Sequence, residues 1–199
     1  MAQTAFNGVP VTLRGDLPPV GSIAPDFTLV KRDLKDVRLR DFAGKTVVLN
    51  IFPSIDTPVC AASVAKLNAD IENKEGATVI CVSADLPFAL DRYCSSEGLE
   101  NVVAASAFRS LDFGEKYGMR MEDGPLAGLL ARALMVIDGR GKVVYSQVVD
   151  EISTEPDYEK ALACLAYEEV MDACMTSFTA EHSRGFSDDG PCDDGRGGV

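Results

Sequence analysis

The sequence predicts an α/β protein built around a parallel strand–helix–strand crossover, and three stretches carry that prediction. Thr46 to Phe52 is a β-branched and apolar run of the length expected of a strand buried on both faces. Thr78 to Ala84 repeats the pattern, and Val59 to about Asn73 between them reads as helix. Strand, helix, strand in that order implies a right-handed parallel crossover. Ala133 to Ile137 and Lys142 to Val149 then read as strands joined through Asp138-Gly139-Arg140-Gly141, a strong hairpin signal that closes the sheet with an antiparallel pair.

The other elements follow in chain order. Residues 5 to 13 have the pattern of a small hairpin turning at Asn7-Gly8. Pro18-Pro19 and Gly21 make a connector. Phe27 to Val30 and Val37 to Leu39 are short strands separated by the polar Lys31 to Asp36, and Asp41 to Lys45 turns into the strand at Thr46. Asp85-Leu86-Pro87 starts a helix that runs to about Ser96, and Val102 to Ala105 adds a short strand. Helical spacing returns from Asp157 to about Cys174. The final run, Ser187 to Val199, is rich in Gly and Asp, and the last ~15 residues are expected to be disordered. The chain thus divides into a domain over residues 1–167 and an extension over 168–199 that starts helical.

Composition narrows the function. Thirty-one acidic residues against nineteen basic ones leave a net charge of -12, which repels nucleic acid and anionic membrane surfaces. No apolar run approaches the ~20 residues of a membrane span. The start, Met1 to Gly8, lacks the charged-then-apolar layout of a signal peptide, so a cytoplasmic location is expected. Six cysteines, unevenly spaced, do not make a secreted disulfide scaffold, and the lack of any Cys-x-x-Cys argues against zinc and against a dithiol redox motif.

One cysteine stands apart by context. Pro53 stops the apolar strand, and Pro58 suits the first turn of a helix, where its missing N–H costs nothing. Cys60 therefore sits in that first turn, where unpaired N–H groups and the positive end of the helix dipole favour a thiolate over a thiol. Thr57, three residues before the sulfur, is placed to hydrogen-bond the thiolate or an oxygen arriving to meet it. The competing reading is an inert half-buried cysteine. His182, the only histidine, lies in the tail, so no histidine base is available beside Cys60, which argues against a cysteine-protease mechanism.

Pro53-x-x-x-Thr57-x-x-Cys60 resembles the active-site motif of the peroxiredoxins. Three longer stretches, Phe52 to Val64, Ser83-Ala-Asp-Leu-Pro-Phe88 and Asp150 to Tyr158, are similar to the bacterial thiol peroxidase branch of that family, and the resemblance covers roughly residues 3 to 167. It implies a thioredoxin-like sandwich: a central mixed sheet flanked by helices, with the N-terminal β-hairpin as a decoration. It also implies a thiol-dependent peroxidase that needs no metal and no bound organic cofactor. Cys60 would be the peroxidatic nucleophile, and Pro53 and Thr57 its motif partners.

Further roles follow from the same resemblance. Cys94, 34 residues after Cys60, matches the resolving cysteine that captures the sulfenic acid as an intramolecular disulfide. Both cysteines lie on predicted helices, so one or both segments are expected to unwind before the bond forms. Arg132 matches the arginine that holds the thiolate and polarises the peroxide bond; the competing reading is a surface ion pair. The implied substrates are hydrogen peroxide and alkyl hydroperoxides, the latter suggested by an apolar ring of Phe52, Leu126, Leu129 and Leu130. The implied partners are a thioredoxin-type reductant and a second copy in a homodimer. The alternative function is a redox-sensing module that uses the same disulfide as a conformational switch. Cys81 and Cys164 read as packing residues, and Cys192 is either an adventitious thiol or a partner for Cys174.

Overall fold

The computed structural model describes residues 3–165. Cys174, His182 and Cys192, with the expected helical start and disorder of the extension, lie outside them. Seven strands form one mixed sheet in the order β4-β3-β7-β6-β5-β8-β9. These are β3 Thr28–Lys31, β4 Asp36–Arg38, β5 Thr46–Ile51, β6 Ala77–Ser83, β7 Val102–Ser106, β8 Ala133–Ile137 and β9 Val143–Val148. β5, β6 and β7 pair in parallel, and the two outer pairs on each side are antiparallel.

Alternation along the central strand builds two apolar layers. Val47, Leu49 and Ile51 of β5 face one cluster, and Val48 and the following Phe52 face the other. Against the second face pack the helices α1 (Pro58–Asp70) and α2 (Pro87–Ser96), followed by a helix, α4, that begins at residue 158 and is described through 165. In α1 the buried residues are Cys60, Ser63, Val64 and Leu67, and in α2 they are Pro87, Leu90 and Cys94. Both stripes have helical spacing, which turns each helix's cysteine toward the sheet. α1 ends at Asp70, short of the expected Asn73, which itself takes a left-handed backbone with φ 66°.

On the first face lies an element the sequence did not announce, α3 over Leu111–Lys116. Six residues with Gly114 in the middle carry little helical preference of their own. Tertiary packing makes the helix. Phe113 stacks on Tyr117 with ring centroids 4.6 Å apart, and a Cβ at Gly114 would lie 3.1 Å from the Arg120 Cβ. Any larger residue there would have to push that neighbour back by a few tenths of an ångström.

The N-terminal hairpin pairs β1 (Gln3–Phe6) with β2 (Val9–Thr12) through Asn7 and Gly8, both at positive φ as a tight two-residue turn requires. It is stitched to the segment after β9. The Ala5 N–H donates to the Asp150 carbonyl at 2.8 Å, the Ile152 N–H donates to the Ala5 carbonyl at 2.8 Å, and the Thr4 hydroxyl donates to the Val149 carbonyl at 2.7 Å. Glu151 closes the turn, accepting from the Ser153 hydroxyl at 2.6 Å and from the Gly8 and Asn7 amides at 2.9 and 3.1 Å. Those donors lower its carboxyl from an ordinary 4.5 to about 2.

A depressed folded-state pKa means that this support is complete above about pH 4.5 and is lost as pH falls toward 2. Protection of the Asn7 and Gly8 amides, taken relative to the intrinsic exchange rate at each pH, is therefore expected to fall across that window while β5 and β6 stay protected. Unchanged protection of Asn7 and Gly8 down to pH 3 would show that Glu151 does not hold the hairpin.

Candidate active site

β5 brings the chain to Phe52, whose N–H still bonds to the Val82 carbonyl at 3.0 Å, and Pro53 then ends the ladder. Residues 53–57 turn back on themselves. The Thr57 N–H and hydroxyl both donate to the Ser54 carbonyl, at 3.2 and 3.0 Å. Thr57 is the N-cap of α1 by backbone shape, yet no side chain caps the helix. Pro58 fills the first turn, and Cys60 follows in it, fully buried. The free N–H groups of an uncapped helix start remain available to an anion there.

Arg132 arrives from the neighbouring strand. Ala133 pairs with Ile51 across β8 and β5, so the residue before Ala133 comes alongside the end of β5. Its side chain is 1% exposed. Nη2 lies 3.1 Å from the Cys60 Sγ, and Nε–H donates to the Ile152 carbonyl at 2.8 Å. Nη1 is buried without a partner. The ion pairs among the described residues do not include Arg132. A guanidinium taken out of water is costly unless it is partnered, and the Cys60 sulfur is the side-chain atom it rests on. The surface ion-pair reading of Arg132 does not hold.

Arg132 also lines a cavity of about 230 Å³, together with Phe6, Pro53, Thr57, Leu126, Leu129 and Ile152. Two members of the expected apolar ring are elsewhere. Phe52 is fully buried among the helices of the second face, and Leu130 is 4% exposed in the core of the first. Their places are taken by Phe6 and Ile152. The hairpin is therefore more than a decoration: it supplies one wall through Phe6 and, through its bonds to residues 149–152, fixes the carbonyl that orients Arg132. Thr57 lines the cavity with its hydroxyl hydrogen directed at Ser54, which leaves its oxygen lone pairs for another donor.

Cys94 lies in the same apolar cluster as Cys60 but on α2, and neither is in a disulfide. Burial is the main influence raising the Cys94 thiol, so it is protonated where it stands. Cys81 is an inert neighbour, pushed up to about 12 by burial and bonded weakly to the Asn50 amide at 3.8 Å. Cys164 packs against the same cluster at its margin.

Two supports were not anticipated. Asn50, inside the apolar run of β5, donates to the Ser63 hydroxyl at 3.1 Å and so ties α1 to the sheet one turn after Cys60. A polar residue at a buried strand position was the available signal. Asp85 grips the 53–57 turn, a role for which a single carboxylate ahead of a helix gave no sign.

The Redoxin family model matches residues 19–162. The chain belongs to the Redoxin family. A thiol peroxidase from Corynebacterium glutamicum is 55% identical over 165 residues, spanning 83% of this chain and 99% of the relative. One from Mycobacterium tuberculosis is 54% identical with the same coverage. Among solved structures, a peroxiredoxin-like protein from Aquifex aeolicus is similar with a TM-score of 0.80 and 39% identity over 84% of this chain and 98% of that one. These likenesses place this redoxin in the thiol peroxidase branch of the peroxiredoxins and make it a peroxidase, an oxidoreductase. Among its described residues no helix is long and apolar enough to cross a membrane.

Proposed function

We propose that the chain reduces hydrogen peroxide and alkyl hydroperoxides through Cys60 and recycles itself through Cys94. The Cys60 thiolate attacks one peroxide oxygen, the O–O bond breaks, and water or alcohol leaves after taking up a proton. Cys60 becomes a sulfenic acid. The Cys94 sulfur then attacks that sulfur, water leaves, and a Cys60–Cys94 disulfide results. A dithiol donor of the thioredoxin type returns both thiols and is itself oxidised to a disulfide.

The observation that carries this reading is the buried Arg132, which lines the cavity, holds Nη2 on the Cys60 sulfur and leaves Nη1 without a partner. One guanidinium can hold the thiolate and also donate to the oxygen on which negative charge develops. Phe6, Leu126 and Leu129 give the cavity apolar walls suited to an alkyl group. Both cysteines are buried on helices, and a disulfide needs Cα atoms within about 7 Å, so the resolving step involves local unwinding that also frees the protonated Cys94.

The expected partner besides substrate and donor is a second copy. Leu86 and Phe88, exposed at the head of α2, offer apolar surface for a homodimer, and sedimentation equilibrium distinguishes dimer from monomer. Its acidic charge and its dependence on a reducing donor fit a cytoplasmic location.

The test adds one equivalent of cumene hydroperoxide to the fully reduced protein, follows its loss, and maps the disulfide by peptide mass spectrometry. Rapid loss with a Cys60–Cys94 bridge is expected, and excess donor should then support many turnovers. Consumption that stops near one equivalent despite excess donor would favour a redox sensor.

A further inference from the structure

The turn that delivers Cys60 is held from outside. No side chain caps α1, and the grip comes from Asp85, a residue of the Ser83-Ala-Asp-Leu-Pro-Phe88 stretch that the catalytic cycle leaves without a task. Asp85 Oδ1 accepts from the Ser54 hydroxyl at 2.8 Å, and Oδ2 accepts from the Ile55 N–H at 2.7 Å. Two of the five residues of the 53–57 turn are thus bonded to one carboxylate.

Asp85 is in turn fixed to the sheet. Its Oδ2 also accepts from the Ser83 hydroxyl at 2.7 Å, its N–H donates to the Ser83 oxygen at 3.3 Å, and its carbonyl accepts from the Ser106 hydroxyl. Ser83 ends β6, Ser106 ends β7, and both are fully buried. Asp85 also stands two residues before Pro87, the first residue of the helix that carries Cys94. A second, exposed tie runs in parallel, from Arg92 of α2 to Asp56 of the turn at 2.7 Å.

We propose that Asp85 is a positioning residue that latches the Cys60 turn to the head of the Cys94 helix, and that this latch must release before the two cysteines can join. The proposal rests on the peroxidase cycle given above. While the latch is closed, Cys60 sits under Arg132 and meets peroxide. While it is closed, a sulfenic acid at Cys60 is also kept from Cys94 and exposed to a second peroxide. That second reaction transfers one more oxygen, releases another water or alcohol, and leaves a sulfinic acid that a dithiol donor does not reverse. The strength of the Asp85 contacts therefore sets how sulfenic acid divides between disulfide and over-oxidation.

Asp85→Asn keeps the shape, but its amide nitrogen cannot accept the bonds that one carboxylate oxygen takes from Ile55 and Ser83. Ser54→Ala removes one bond and leaves the anchors on Ser83 and Ser106 in place, so it carries the test if the first variant does not fold. Reduced wild type and each variant are mixed with excess cumene hydroperoxide, and disulfide and sulfinic forms are counted by intact-mass spectrometry over time.

In Asp85→Asn, disulfide formation is expected to rise by about tenfold and the sulfinic fraction per turnover to fall by a similar factor, as loss of a bond to a charged acceptor implies. Ser54→Ala should shift both the same way by less. A residue that merely stabilises the fold would lower the melting temperature without moving this partition. Wild type that makes the Cys60–Cys94 bridge, with variants that keep its partition or over-oxidise more, would overturn the latch alone. Wild type that makes no such bridge would overturn the cycle and the latch with it.

Discussion

Replacing Arg132 with lysine is expected to slow the reaction of Cys60 with peroxide by about 10²–10³-fold, the usual cost of removing one donor aimed at developing negative charge. The guanidinium presents three nitrogens in one plane. Nε is committed to the Ile152 carbonyl, Nη2 holds the Cys60 sulfur, and Nη1 is unpaired. An ammonium is a compact point charge on a flexible stem. It could approach the sulfur or the carbonyl, but it has no rigid fork with which to hold both and still present a donor to peroxide. The Ile152 carbonyl would lose a buried partner at a cost of about 1–3 kcal/mol, so some loss of thermal stability should accompany the kinetic effect.

Stopped-flow measurement of Cys60 oxidation, made on protein whose circular dichroism matches wild type, separates chemistry from folding. A lysine variant that oxidises at a rate close to wild type would remove Arg132 from the chemical step and return Cys60 to the status of a buried, unassisted thiol.

Replacing Cys94 with serine is expected to leave the first reaction with peroxide within a few-fold of wild type and to abolish donor-driven turnover. Cys94 is 2% exposed on α2, and the Arg132 guanidinium bonds to Cys60 and to the Ile152 carbonyl instead, so the serine variant keeps the contacts that prepare Cys60 for attack. What the variant lacks is the second sulfur. Its sulfenic acid then persists, and in excess peroxide it should advance to the sulfinic acid. Serine differs by one atom and is accommodated in the stripe of Pro87 and Leu90, so the fold should be retained. Multiple turnovers with a thioredoxin-type donor and the serine variant would show that another thiol, or the donor itself, resolves Cys60.

The comparison of chain and structure turns on how local each feature is. Pro53, Pro58 and Cys60 lie within eight residues, and strand end, turn and helix start are local events, so the sequence alone determined that a cysteine would stand in the first turn of a helix after a buried strand. The parallel crossover was equally legible, because β5, α1 and β6 each have a run long enough to show a period. The short β1–β2 turn could be read from Asn7-Gly8, since two positive φ angles demand such residues.

Tertiary structure decided what depends on partners distant in the chain. That Arg132 would lose its water and rest on Cys60, 72 residues away, follows from the antiparallel register of β8 on β5. Leu126 and Leu129 line the cavity, whereas Leu130, bridged to Arg120, turns into the core. α3 exists because Phe113 and Tyr117 find a pocket that their own short segment does not announce. Phe6 and Asp85 became parts of the site because a hairpin bonded to residues 149–152 and because β6 and β7 end together. The sequence by itself determined that a cysteine stands at a helix start, a place that favours an anion, since both are set by neighbours along the chain. Tertiary structure alone decided which charge faces that cysteine, what walls the cavity and what holds the turn, since those follow from strand register and packing between segments far apart in sequence.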